Sequence, residues 1–140
     1  MPRRPRRDEP VWVSRLVLDT VHLDQLREHG GRTGVRDENT LEAVLARPRQ
    51  RYHYEPLSDA ATLAAAYGWG LVTSHPYSDG NKRTAFLAMV VFLGLNGYQL
   101  EATQEGVVAT MVSAAAGQPT EAELADWLRQ HLGKAVRQRR

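Results

Sequence analysis

The run of residues 84–95, TAFLAMVVFLGL, is the most apolar stretch of the chain. A helix over these residues would be apolar around its whole circumference rather than along one stripe, which is the pattern of a helix buried in a core. The run is too short to cross a bilayer, because a spanning helix needs about 20 apolar residues. Gly97 supplies the left-handed stop that often ends a helix. We therefore predict a central buried helix over about residues 81–96.

The composition is that of one soluble globular domain. With 140 residues, of which 42% are hydrophobic, the chain is long enough for a single core. The absence of cysteine excludes disulfide frameworks and thiolate metal sites. It is also compatible with the reducing cytoplasm, where we expect the protein to reside. No uninterrupted apolar segment follows the basic N-terminus, so we predict neither an export signal nor an association with membranes.

The positive charge is concentrated at the two ends of the chain. Four basic residues lie within residues 3–7 and four within residues 134–140, and without them 10 basic and 16 acidic residues remain. We therefore expect a disordered basic tail over residues 1–10, a folded domain over 11–133 and a second basic tail over 134–140. Contact of the tails with nucleic acid stays open, but the acidic folded core is not predicted to bind it.

Capping residues and stop signals predict an all-α fold of about six helices. The predicted N-caps are Ser14, Asp37, Ser58 and Thr120. Pro48 is expected to end the second helix, because a proline inside a helix removes a backbone hydrogen bond. The predicted helices span residues 14–30, 37–47, 58–75, 81–96, 103–117 and 120–133.

Residues 49–57, RQRYHYEPL, lack a helical period. We predict a loop or a short β-hairpin here, with exposed aromatic and basic side chains. Tyr52 and Tyr54 would then be available to contact another chain. The alternative is a purely structural loop in which these aromatic side chains are packed, and the same sequence pattern fits it.

A dense set of reactive side chains, HPYSDGNKR, immediately precedes the apolar run at residues 75–83. His75 can accept a proton near neutral pH, and Asp79 is a hard oxygen ligand of the kind that Mg²⁺ prefers. Gly80 allows the backbone to approach a ligand closely. The start of the following helix offers unpaired N–H groups and the positive end of the helix dipole, so an anion site is predicted here.

Three polar residues complete this predicted anion site. Asn81 can cap the helix or bond a phosphate oxygen, and Lys82 and Arg83 can neutralise charge during phosphoryl transfer. Together with His75 and Asp79, they suit the transfer of a phosphorus group from a nucleotide to a hydroxyl. Composition alone leaves a second interpretation open, namely a surface turn at Asp-Gly-Asn followed by two solvated basic side chains.

The stretch 75–83 resembles the signature of the Fic/Doc (Fido) superfamily, in which His-x-Phe-x-Asp-Gly-Asn leads the catalytic helix. Tyr77 stands where that pattern has phenylalanine. The resemblance covers about residues 12–132 and implies the Fido helical fold. Further likeness to the Doc (death-on-curing) branch is found at residues 34–37, 41–48 and 92–97.

Two positions favour phosphoryl transfer over adenylyl transfer. Fic adenylyltransferases carry glycine where this chain has Lys82 and a second arginine where it has Phe86. In Doc-like members this pattern accompanies transfer of the γ-phosphate of ATP. The implied target is a threonine or serine hydroxyl of a protein, elongation factor Tu, whose phosphorylation arrests translation. Adenylyl transfer from ATP is the alternative, and a non-catalytic module that blocks translation is a second one.

The resemblance also implies roles for individual residues. His75 would deprotonate the target hydroxyl, and Asp79 would hold Mg²⁺. The superfamily's target-binding flap would fall at residues 49–57, with Tyr52 and Tyr54 lining it. The phosphates of ATP would be bound by Gly80, Asn81, Lys82 and Arg83.

Members of this branch are toxins of type II toxin-antitoxin systems, so the resemblance implies a separate Phd-like antitoxin as a partner. Some Fic proteins instead carry an internal inhibitory signature, Ser/Thr-x-x-x-Glu-Gly/Asn. The nearest match in this chain is Glu105-Gly106, where Glu101 occupies the Ser/Thr position. Control by a separate protein is therefore expected.

Overall fold

A computed structural model describes residues 9–116 and 120–134, which form six helices and two short strands. Most of the two predicted tails, residues 1–8 and 135–140, lies outside the described residues, as does Gly117, the predicted end of the fifth helix. The elements follow one another as α1 (Arg15–His29), α2 (Glu38–Tyr54), α3 (Ala60–Ser74), α4 (Asn81–Leu95), β1 (Tyr98–Leu100), α5 (Gln104–Ala115), α6 (Glu121–Gln130) and β2 (Leu132–Lys134). The predicted all-α class with six helices is confirmed.

Helix α3 is the buried centre of the fold. Its sequence, AATLAAAYGWGLVTS, places small side chains on several sides, so α2, α4, α5 and α6 pack directly against it. Tyr67 and Leu71 are fully buried. Gly68 allows α4 to approach closely, because a Cβ at this position would overlap Sδ of Met89. A central buried helix therefore exists, but α3 occupies that position and the apolar run 84–95 does not.

Helix α4 carries the apolar run and is fully buried along one side. The opposite side bears Phe86, Leu87 and Val91, which are only partly covered and line a cleft. The expectation that this helix is buried all round is wrong, because that side faces the cleft. The buried side consists of Asn81, Thr84, Ala85, Ala88, Met89, Phe92 and Leu93.

Three of the four predicted N-caps are confirmed. The side chains of Ser14, Asp37 and Thr120 each accept a hydrogen bond from the backbone N–H three residues further on. Ser58 does not cap α3, because Asp59 fills that position and accepts the capping bond at 2.9 Å. Asp59 is favoured there since its carboxylate also pairs with an arginine of α6.

Helix α2 continues through Pro48, so the prediction of a loop or hairpin at residues 49–57 is wrong as far as Tyr54. Tyr52, in the last turns of this helix, is 5% exposed. Its ring meets that of Trp12 edge-on, with the centroids 5.7 Å apart. This packing of Tyr52 stabilises the part of α2 that follows Pro48, against the cost of a proline inside a helix.

The strands β1 and β2 pair antiparallel, with Leu100 opposite Leu132. A short β element was predicted, but at residues 49–57 and not here. β2 takes the place of the end of the predicted sixth helix, which stops at Gln130 instead of Gly133. No helix in the two described ranges has the length and apolarity needed to span a membrane.

Candidate active site

The reactive stretch forms the junction between α3 and α4, and the backbone at both ends of this junction is left-handed. His75 ends α3 with φ 50° and ψ 60°, and Gly80 precedes α4 with φ 75°. Among the described residues no side chain caps α4. Its first-turn N–H groups and the positive end of its dipole are therefore available to an anion.

The side chain of Asn81 turns back into the junction. Its Oδ1 accepts a hydrogen bond from the N–H of Tyr77 at 3.1 Å, and its Nδ2 donates to the C=O of Tyr77 at 3.0 Å. Asn81 is only 8% exposed, so this amide is used inside the protein. In this structure Asn81 can offer a phosphate its backbone N–H, but its side chain is already engaged.

Tyr77 anchors the junction to α1. Its hydroxyl donates to Oδ1 of Asp19 at 2.7 Å, and its ring stacks on that of His22 with the centroids 3.7 Å apart. Burial, and then the bond to Asp19, raises the pKa of Tyr77 far above its ordinary value, so the hydroxyl keeps its proton. The Nε2 of His22 lies 2.8 Å from the C=O of Asp79. His22 is thus a buried structural residue of the site.

The α1–α2 connection, residues 30–37, contacts the junction along its length. Ser78 donates its N–H to the C=O of Gly34 at 3.0 Å, and Val35 forms an isolated antiparallel bridge with Tyr77. The junction is therefore held by a second segment of the chain. The alternative left open by composition, a surface turn followed by two solvated basic side chains, agrees with the exposure of Asp79, Lys82 and Arg83, but the turn itself is fixed by these contacts.

Both carboxylate oxygens of Asp79 accept hydrogen bonds from backbone N–H groups. Its Oδ2 accepts from the N–H of Arg32 at 3.1 Å, and its Oδ1 accepts from the N–H of Gly80 at 3.0 Å. These bonds, with that from Arg32 first, lower the pKa of Asp79. Asp79 is therefore ionised at neutral pH and lies exposed at the cleft.

This donor set fits a magnesium ion that is shared with phosphates. Each carboxylate oxygen of Asp79 keeps further acceptor capacity beside its backbone bond. The described residues contain no group of three or more His, Cys, Asp or Glu side chains that would hold a metal. Mg²⁺ is often bound through one or two carboxylates together with substrate phosphates and water, and a single carboxylate at the edge of an anion site matches that arrangement.

A cleft of about 1170 Å³ brings the candidate residues together. Asp24 and Glu28 of α1 line it, and so do the apolar side chains Val21, Phe86 and Leu87. Six of the eight site residues predicted from the sequence line this cleft: His75, Asp79, Gly80, Asn81, Lys82 and Arg83. His75, Lys82 and Arg83 are exposed, so their charged or titratable groups are accessible to a ligand.

The other two predicted site residues, Tyr52 and Tyr54, do not line the cleft. Tyr52 belongs to the core, and Tyr54 is 82% exposed at the end of α2. The loop or hairpin predicted for a target-binding flap at residues 49–57 is thus helical as far as Tyr54, and target binding by Tyr52 and Tyr54 stays a prediction.

Gln25 is a residue of the cleft that sequence reasoning missed, because a glutamine on a helix carries no motif. It is 2% exposed, and neither its Nε2 nor its Oε1 has a hydrogen-bond partner among the described residues. A Cβ at position 80 would overlap Nε2, so the amide lies directly against Gly80. A buried polar group without a partner costs about 1–3 kcal/mol. Its position beside the start of α4 fits a site that receives a polar group such as a phosphate.

Comparison with known proteins agrees with this geometry. The Fic/DOC family profile matches residues 12–93. The chain is 33% identical over 123 residues to "Protein kinase doc" of Escherichia phage P1, an alignment that covers 88% of this chain and 97% of the relative. It is 43% identical over 74 residues to "Toxin Doc" of Mycolicibacterium smegmatis, covering 52% of this chain and 57% of that relative.

The chain therefore belongs to the Fic/Doc family, and the two relatives place it on the Doc branch. Both assignments confirm what residues 75–83 and the Doc-like segments predicted.

Proposed function

We propose that this protein is a toxin of a type II toxin-antitoxin system that transfers the γ-phosphate of ATP to a serine or threonine hydroxyl of a protein. The target proposed is elongation factor Tu. The observation that carries the proposal is the convergence of His75, Asp79 and the uncapped start of α4 in one cleft. The relatives' names, a protein kinase and a toxin, support it.

In this mechanism His75 is the general base. Its exposed imidazole takes the proton of the target hydroxyl. The hydroxyl oxygen then forms a bond to the γ-phosphorus, and the bond between that phosphorus and the β,γ-bridging oxygen breaks. The products are the phosphorylated target and ADP, and the proton stays on His75 until it passes to water.

The phosphates bind at the start of α4. The first-turn N–H groups and the side chains of Lys82 and Arg83 stabilise the charge that spreads over the transferring group. Gly80, which lines the cleft without a side chain, lets the phosphates approach the backbone closely. Mg²⁺ held by Asp79 would neutralise further phosphate charge.

Adenylyl transfer is the alternative outcome at the same cleft. It requires a second cation where this chain has Phe86, which is partly buried and lines the cleft. The structure thus offers no positive side chain at position 86 to hold phosphates in the adenylylating orientation.

The deciding experiment uses ATP labelled at the γ-phosphate and, in parallel, at the α-phosphate. Purified protein is incubated with each nucleotide, Mg²⁺ and elongation factor Tu, and with a bacterial lysate. We expect label on a protein from the γ position only and none with His75→Ala. His53→Ala is the matched control, because His53 is exposed on α2 outside the cleft. Label from the α position only would overturn the kinase assignment in favour of adenylyl transfer.

A non-catalytic block of translation makes a different prediction in cells. It requires toxicity to survive His75→Ala but to disappear when residues 1–7 and 134–140 are deleted. We expect the opposite pattern for an enzyme whose domain spans residues 11–133. Co-expression of a separate Phd-like antitoxin should suppress toxicity in the cytoplasm, where ATP and the proposed target are found.

A further inference from the structure

One residue outside the family signature holds the backbone on both sides of His75. Arg36 lies in the α1–α2 connection, and it donates hydrogen bonds to three successive carbonyl groups. Its Nη2 donates to the C=O of Ser74 at 2.7 Å and its Nε to the C=O of His75 at 2.7 Å. Its backbone N–H donates to the C=O of Pro76 at 2.8 Å.

These carbonyls need external donors. The last carbonyl groups of a helix have no partner within it, and Ser74 and His75 stand at the end of α3. The same end carries the negative pole of the helix dipole, so a guanidinium group is favoured there electrostatically. Arg36 supplies both the donors and the charge.

The backbone at His75 also requires support. In the described residues His75 is the one non-glycine residue with positive φ. The left-handed conformation costs about 1–2 kcal/mol for such a residue, and it persists where surrounding contacts impose it. The two guanidinium bonds and the bond to Pro76 are contacts of that kind.

We propose that Arg36 is a positioning residue for His75. By fixing the carbonyls before, at and after the left-handed residue, it sets the direction in which the imidazole enters the cleft. Arg36 itself donates to protein carbonyls and is assigned no contact with the reacting atoms. Its kinetic role rests on the proposed transfer reaction, but its effect on the imidazole does not.

The test compares Arg36→Ala and Arg36→Lys with the parent chain. Arg36→Ala keeps the backbone bond to Pro76 and removes the two guanidinium bonds, whereas Arg36→Lys restores a positive donor without the planar fork. Arg27→Ala is the matched control, because the Arg27 side chain is 79% exposed on α1 and pairs only loosely with a neighbouring aspartate at 3.7 Å. Thermal melts establish that each variant is folded.

The first readout is the NMR signal of the His75 imidazole, measured in protein with labelled histidines. The chain has five histidines, and His75→Gln assigns the signal of interest. We expect Arg36→Ala to shift or broaden the His75 signal while the signal of His53 stays in place, and Arg27→Ala to leave both unchanged. An unchanged His75 signal in folded Arg36→Ala would overturn the proposal even if no transfer reaction is found.

The second readout is transfer of label from γ-labelled ATP. A displacement of about 1 Å in a reacting group can cost about 100-fold in rate, so we expect kcat to fall about 10- to 100-fold in Arg36→Ala. The KM for ATP should change less than about twofold, because the phosphate-binding groups are untouched. Arg36→Lys, and methylguanidinium added to Arg36→Ala, should recover part of kcat. A rise in KM at constant kcat would contradict a positioning role and indicate nucleotide binding instead.

Discussion

The amide of Asn81 bonds to both backbone groups of Tyr77, four residues before it, accepting from its N–H and donating to its C=O. The side-chain amide of the first residue of α4 is thereby engaged inside the junction, although Asn81 lines the cleft. The family signature thus contains a residue whose side chain, in this structure, shapes the junction that carries His75 and Asp79.

Replacement of Asn81 is expected to act on stability first. Asn81→Ala leaves the buried N–H of Tyr77 without its partner, and we expect the free energy of unfolding to fall by about 1–3 kcal/mol. Urea denaturation measures it, with Asn39→Ala, an exposed position on α2, as a control that should change by less than about 0.5 kcal/mol. Unchanged stability with a weakened affinity for ATP would show that the side chain binds phosphate instead.

The glycine before α4 should tolerate no side chain. Gly80→Ala places a Cβ onto Nε2 of Gln25 and forces alanine to adopt φ 75°. The left-handed cost of about 1–2 kcal/mol, together with displacement of the end of the Gln25 side chain, predicts a loss of at least about 1 kcal/mol in urea denaturation. Gly94→Ala is the control, since a Cβ there meets nothing within 4 Å and alanine favours the helix by about 1 kcal/mol. Equal effects of the two changes would contradict the clash with Gln25.

Removal of the Asp79 carboxylate should make the affinity for ATP independent of Mg²⁺. Calorimetric titration of folded Asp79→Ala with ATP is expected to give the same affinity with and without Mg²⁺, whereas the parent chain binds ATP more tightly when Mg²⁺ is present. Asp24→Ala, which removes another carboxylate from the same cleft, should retain that difference. A Mg²⁺ effect that survives in Asp79→Ala would place the ion elsewhere.

The ion pair between Asp59 and Arg129 should give the melting temperature a defined pH dependence. The bond from Arg129 lowers the pKa of Asp59, so its stabilisation is present above the unfolded-state pKa of about 3.9. It is lost as the pH falls through the lower pKa of the folded state. Asp59→Asn keeps an acceptor for the α3 cap and removes the charge. We expect it to melt below the parent chain at about pH 7, with a gap in melting temperature that narrows progressively as the pH falls below about 4. A gap that stays constant with pH would contradict this assignment.

Local signals in the sequence predicted most of the helices. Ser14, Asp37 and Thr120 are caps because their side chains reach a backbone N–H three residues on, and that interaction needs no other part of the chain. The C-terminal end of α2 could not be predicted from local signals. Pro48 predicts a stop, but α2 continues to Tyr54, and Tyr52 in this continuation packs against Trp12.

In the candidate site, too, some residues could be predicted from local sequence and others only from tertiary packing. His75, Asp79, Lys82 and Arg83 are close in sequence, so their meeting in one cleft follows from a single helix junction. Gln25 and Arg36 come from α1 and the α1–α2 connection. Their positions depend on how these segments fold against the junction, and no spacing in the sequence records it.

The sequence by itself determined which reactive groups are brought together: a histidine, a carboxylate and two cations at the start of an apolar helix, within nine consecutive residues. Tertiary structure decided how those groups are presented. It made α3 the buried helix because its small residues let four neighbours approach. It turned the Asn81 amide inward and placed Arg36 on the carbonyls around His75. The physical reason is that hydrogen bonds between distant segments depend on packing, whereas caps and helix dipoles act within one turn.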